Sequence, residues 1–379
     1  MFAPTRLAYA LRPNAPTGIL AAAAAVAMLF GATPFLIPEV STHYGVSEGL
    51  AAGISVAQVT AFAVANLLLP RLLAPTGNVL KWSAFILVVA NAASALPEQF
   101  WLLVGFRMTA GLAAGTLTWV VWADAMRKPS SLTGVASAGP VTALVSAPLL
   151  SALAGMGDRA VFVALGVAAL PAFFSKVDTG VEKKGSGSVS RSRSNRALLL
   201  ALLLLAFFGS SAFVFVAIAA RETLGLSPFI ASFAYSLNAA AGLLGARLSS
   251  RHRRPGWWLL SMGPAVYLAA AGGRVWLMFL GMAWWGFAFW MGVPGVMKML
   301  AARSLEPDER AGDAQALMAF GRAAGPVLGG GLADAGAFAS LAVVAGIGSS
   351  AVGAMVIGVQ EGRERLPSSD SRIIDRSGG

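Results

Sequence analysis

Long apolar runs fill this chain, broken at near-regular intervals by charges, prolines and small polar clusters. A helix needs about 20 mostly apolar residues to cross a hydrocarbon core of ~30 Å. Twelve stretches meet that need. The first six are 17–37, 50–73, 80–96, 100–123, 134–154 and 160–177. After a polar interval come 197–220, 228–248, 257–271, 275–297, 311–333 and 336–359. The ninth is short and flanked by glycine. The pattern predicts an all-α integral membrane protein of twelve transmembrane helices.

The basic residues test that count. With the N-terminus placed in the cytoplasm, 23 of the 28 Lys and Arg fall in inner segments. Only Arg159, Arg221 and Arg274 fall outside, while Arg107 and Arg322 lie within spans. A wrong number of spans would scramble this alternation, so it supports the count and puts both termini inside the cytoplasmic membrane. Arg6 and Arg12 before an Ala-rich run imitate a signal peptide, but apolarity continues through Ile37, too far for a cleaved leader.

Composition narrows the chemistry. Apolar residues make up 57% and charged residues 12%, about half the charge a soluble domain carries. There is no cysteine, which removes disulfides and Cys-ligated metals, and His43 and His252 are too few for a histidine metal cluster. No cofactor or metal is implied. The net charge of +11 is accounted for by topology, so nucleic acid is not an expected partner. Membrane lipid is expected, and the protein is expected to be a monomer.

Residues 178–195 read DTGVEKKGSGSVSRSRSN, a solvated linker that divides the spans six and six. The expected organisation is a six-helix bundle over 1–177, a cytoplasmic linker over 178–195, a second bundle over 196–360 and a cytoplasmic tail over 361–379. The halves also echo each other. Ala138-Gly139-Pro140-Val141 recurs as Ala324-Gly325-Pro326-Val327, 186 residues on and in the fifth span of each half. Parallel six-helix repeats related by an axis along the membrane normal are a known transporter architecture.

Three motifs point to a family. Span 4 reads Leu103-x-x-x-Arg107-x-x-Ala110-Gly111-x-Ala113-Ala114-Gly115, span 5 carries Gly134 and Gly139-Pro140, and span 11 carries Gly325-Pro326-Val327-Leu328-Gly329-Gly330. With these the chain resembles a secondary transporter of the major facilitator superfamily. The resemblance implies two six-helix halves rocking about a central cavity, and its span-5 signature is that of antiporters. The family's loop signature after span 2 is reduced here to Leu72 and Gly77, and its counterpart after span 8 also lacks the aspartate. The resemblance thus implies a fold without the family's usual inner latch.

Charges within a membrane default to function. Arg107 and Arg322 are therefore expected to line the cavity, with at least one attracting an anionic or carbonyl-bearing group; locking two helices together is the alternative. Gln58, Asn66, Tyr235 and Asn238 could bond a solute or neighbouring helices. Tyr235 and Asn238 share a helix face by their spacing. Proton coupling needs a titratable group, which arginine cannot be. Glu39, after Pro34 and Pro38, is the candidate, against the plainer reading of a solvated loop carboxylate. Gly139-Pro140 and Gly325-Pro326 are expected to break or bend their helices for gating. Gly111 and Gly115 predict close packing inside the bundle.

The expected function is proton-coupled efflux of a small organic solute by alternating access. Uptake or facilitated transport of an organic, including an anionic, solute is the alternative, as is a transport-inactive scaffold or sensor. An enzyme is not expected: a serine hydrolase at Ser55 would need His43 or His252, neither at its depth. Nor is there a phosphate-binding loop for an ATP-driven pump.

Overall fold

Helices begin where the chain supplies a cap or a proline. The Thr76 hydroxyl accepts from the Val79 amide at 3.3 Å, and that of Ser227 from Ile230 at 3.3 Å. Pro228 also opens the Ser227-capped helix, and Pro129 and Pro255 open two more, from the first turn, where a missing amide is harmless. Span 1 ends on Gly45, whose φ of 60° is a left-handed helix stop that favours glycine.

The computed structural model describes residues 15–46, 48–51, 53–175, 193–249, 254–304 and 307–364. Among these residues every regular element is a helix. Span 1 is Thr17–Gly31 continued by Thr33–Tyr44, and a short helix Glu48–Ala51 leads into span 2, Gly53–Leu72. Then follow Gly77–Ser94, Phe100–Arg127, Pro129–Ala154 and Asp158–Phe174 as spans 3 to 6. Span 7 is Arg193–Phe213 with Val216–Leu224, span 8 Pro228–Leu248, and span 9 Pro255–Leu260 with Met262–Ala271. Spans 10 to 12 are Val275–Ala302, Pro307–Asp334 and Phe338–Glu364. Among the described residues six of these helices are long and apolar enough to cross a membrane alone, and span 1 joins them as a bent pair. The other five are shorter, broken or richer in polar residues.

Two halves of six helices result, with matching neighbours. Span 1 packs on 5, 2 on 4 and 3 on 6; in the second half 7 packs on 11, 8 on 10 and 9 on 12. Glycine sets the closest approaches at equivalent places. A Cβ on Gly111 would run into the Gln58 carbonyl, and one on Gly286 into the Asn238 carbonyl. Gly115 similarly faces the Phe62 carbonyl, so the Gly111/Gly115 pair does pack span 4 closely on span 2. The halves meet where span 2 packs on 11, 5 on 8 and 4 on 11.

The sequence reading needs corrections here. Span 1 extends to Tyr44 and turns at Ala32, so Glu39 rides on its second helical segment and is not in a loop. Span 7 begins at Arg193, inside the interval expected to be linker; 176–192 lie outside the described residues, as do 365–379 of the expected tail. Helix breaks are absent at Gly139-Pro140 and Gly325-Pro326, because both helices run through them continuously. A membrane helix tolerates the lost amide when its neighbours satisfy the freed carbonyl. Among the described residues the breaks fall instead in spans 1, 7 and 9.

Candidate functional site

The two intramembrane arginines have opposite surroundings. Arg107, seven residues into span 4, is 1% exposed. One guanidinium nitrogen donates to Asn91 Oδ1 of span 3 at 2.6 Å, and the group lies 5.1 Å from the Phe162 ring centre of span 6. Its Nε and Nη1, and Asn91 Nδ2, have no hydrogen-bond partner among the described residues. Arg107 therefore joins spans 3, 4 and 6 inside the first half. These contacts turn it away from the seam where a cavity between halves would lie, contrary to expectation. The physical reason is the Asn91 carbonyl oxygen and the aromatic face of Phe162, which together shelter a cation.

Arg322 lies near the middle of the 28-residue span 11. It is deep within the protein yet keeps accessible surface. No hydrogen bond, ion pair or ring contact engages it among the described residues. On either side of it Gly321 and Gly325 press against span 7, at Leu203, Phe207 and Ser210.

Of the neutral candidates, two are bonded to other helices. The Tyr235 hydroxyl donates to the Phe213 carbonyl at 2.8 Å and accepts from the Ala217 amide at 3.3 Å, bridging the break in span 7. Asn238 Nδ2 donates to the Met282 carbonyl of span 10 at 2.8 Å. Asn66 Nδ2 donates within its own helix to Phe62 at 2.9 Å. Gln58 is buried and has no partner among the described residues. Glu39 is half-buried and likewise unpartnered there. His43 Nδ1 is held 2.9 Å from Asp158, at the far end of the bundle from the linker.

Between the halves, closure is concentrated on the linker side. Arg71, at the end of span 2, meets Asp313 of span 11 at 2.8 Å, and Arg310 also contacts Asp313. A Cβ on Gly312 would strike Pro70 and the Asn66 carbonyl. On the other side of the seam the Trp290 ring of span 10 lies between Gly139 of span 5 and Gly242 of span 8. The sequence reading missed this arrangement. It took loss of the loop aspartate as loss of the latch, whereas the carboxylate comes from span 11. The available signal was Asp313, three residues after Arg310 and five before a buried apolar turn. A groove of about 640 Å³ also opens between spans 9 and 12, lined by Gly263, Tyr267, Gly346 and Ile347. Its lining is mostly apolar, and the Ser350 hydroxyl within it is bonded to the Leu260 carbonyl.

The chain's similarities agree with this geometry. The sequence profile described as Major Facilitator Superfamily matches residues 19–330. No curated protein sequence matches the chain. Among solved structures, the human organic anion transporter MFSD10 (TETRAN) is similar with a TM-score of 0.71 at 15% identity, over 90% of this chain and 97% of that one. The Escherichia coli fucose:proton symporter FucP is similar with a TM-score of 0.67 at 14% identity, again over 90% and 97%. Identities this low carry the fold alone.

Proposed function

The chain belongs to the major facilitator superfamily of membrane transporters, and from that premise we propose that it moves a small organic solute by alternating access around a site between its halves. The observation that carries this reading is the lopsided seam. The ion pair Arg71–Asp313 and the Gly312 contact join the halves near the linker side, while Arg322 beyond them stays accessible and unpartnered. A rocking carrier needs such a closure, one able to part while the opposite side comes together. The linker side is the cytoplasmic one in this reading, as the basic residues require, and the membrane is the cytoplasmic membrane. Labelling of Ser188→Cys by an impermeant reagent from outside intact cells would overturn that orientation.

Efflux in exchange for protons is the direction we infer, from the antiporter-like Gly139-Pro140 signature of span 5. Glu39, half-buried on the kinked span 1 and without a bonding partner among the described residues, is the proton-carrying candidate. The test is solute flux in proteoliposomes with and without an imposed pH gradient. Solute movement that ignores the gradient, and is unchanged in Glu39→Gln, would remove proton coupling. Absence of any flux from a folded protein that binds solute would favour a scaffold or sensor.

A further inference from the structure

Arg322 sits where one face of span 11 changes character. Under helical spacing, positions 311, 315, 319, 322 and 326 form one stripe. Ala311, Gln315 and Ala319 are 0, 5 and 1% exposed, along the part of the helix that packs on spans 2 and 4. Arg322 and Pro326, next along the stripe, are half-buried. The seam is closed up to Ala319 and opens at Arg322. Two other faces of the helix are already assigned. Gly321 and Gly325 turn to span 7, and Phe320 and Val327, the latter 79% exposed, turn to the opposite side. Arg322 lies on neither of those faces but on the stripe that carries the seam.

A guanidinium has five donors and no acceptor and keeps its charge throughout the working pH range. Left unsatisfied at this depth it is costly. Among the described residues no carboxylate lies within ion-pair distance of it, and the other buried arginine, Arg107, is bonded inside its own half. None of the described residues supplies the acceptor, and the guanidinium keeps surface that water or a solute can reach. Two coplanar oxygens of a carboxylate or phosphate fit the fork best. Resting on the carrier reading above, we infer that the solute is an organic anion whose carboxylate or phosphate docks on Arg322, and that Arg322 alone of the two intramembrane arginines recognises it.

The chain has no native cysteine, so a single thiol at Ala323→Cys reports the local potential. Its reaction with an anionic sulfonatoethyl methanethiosulfonate should outpace that with the cationic trimethylammonioethyl reagent several-fold. The preference should vanish when Arg322→Gln is added. Equal rates for the two reagents with Arg322 present, or no reaction with either, overturn the inference. In proteoliposomes, benzoate and glucose 6-phosphate are compared with neutral benzamide and glucose, which separates carboxylate from phosphate. An anion that binds and exchanges should lose at least tenfold in affinity in Arg322→Gln and several-fold in Arg322→Lys, but not in Arg107→Lys. Should the glutamine variant fail to fold, the lysine variant carries the test, because it keeps the charge and loses the fork. Flux of a neutral counterpart that is indifferent to Arg322→Gln overturns anion recognition and leaves the carrier reading intact. Anion binding without flux does the reverse.

Discussion

Arg107 and Arg322 are the same residue type inside helices of equal length, one in each half, and their surroundings differ completely. In the first half Asn91 and Phe162 enclose the guanidinium, and it ties three helices of one bundle together. In the second half the helix that bears the arginine is the seam itself, and the cation is left unpartnered among the described residues. Lying within a span therefore does not by itself assign a role to a charge. The identity of the neighbouring spans does.

The largest effect that would break this contrast comes from Asn91→Leu. It removes the one acceptor on a fully buried cation, and stranding a buried charge in this way costs about 3–5 kcal/mol. Thermal unfolding in detergent should shift down by many degrees, while Arg322→Gln should leave the midpoint nearly unchanged. Equal shifts in the two variants would end the distinction. The next effect sharpens the repeat. Gly111→Val and Gly286→Val each push a side chain into the partner helix's backbone, and overpacking of this kind costs about 1–3 kcal/mol. The two losses of stability should be similar, since the halves use glycine at equivalent crossings. A smaller loss, about 1 kcal/mol, is expected for Tyr235→Phe, which removes the hydrogen bonds across the break in span 7. Among the described residues no hydroxyl bridges the break in span 1 of the first half in this way, so the effect should have no counterpart there. The smallest effect on stability is expected for Arg71→Gln, because Arg71 is partly solvated and Asp313 keeps its buried partner Arg310. What should change is access: a thiol at Gln315→Cys, buried in the parent chain, should react faster from the linker side. An unchanged rate would show that this ion pair does not hold the halves.

Much of the architecture was legible in the sequence. Apolar length and the alternation of arginines and lysines located the helices, because a bilayer imposes both, and small residues four apart announced close packing within the bundle, though not that span 2 is the partner. The site was less legible. Asn91 is unremarkable within an apolar run, and only folding brings it beside Arg107. Tyr235 and Asn238 were correctly placed on one helix face, but nothing local shows that Phe213, Ala217 and Met282 would use up their bonding. At Pro140 and Pro326 the helices continue without a break, because surrounding helices can satisfy the carbonyl that a proline frees. Of the real interruptions, those near Ala32 and Ser261 are followed within a turn by Pro34 and Pro264, whereas the one near Phe215 has no proline beside it.

The seam is not the same on its two flanks. Span 4 lies along span 11, whereas span 10, its counterpart, only grazes span 5, where Trp290 is the point of contact with Gly139. Spans 5 and 8 pack on the second flank much as spans 2 and 11 do on the first, so the asymmetry is the added contact of span 4 with span 11. The flank with that added contact is expected to part less, as the jamb of a door, with the indole as the catch of the other. The free edge then travels farther than the jamb during each cycle. Spin labels on spans 5 and 10 should accordingly separate by several ångströms more than labels on spans 4 and 11 when the linker side opens, and equal displacements would mean a symmetric stroke.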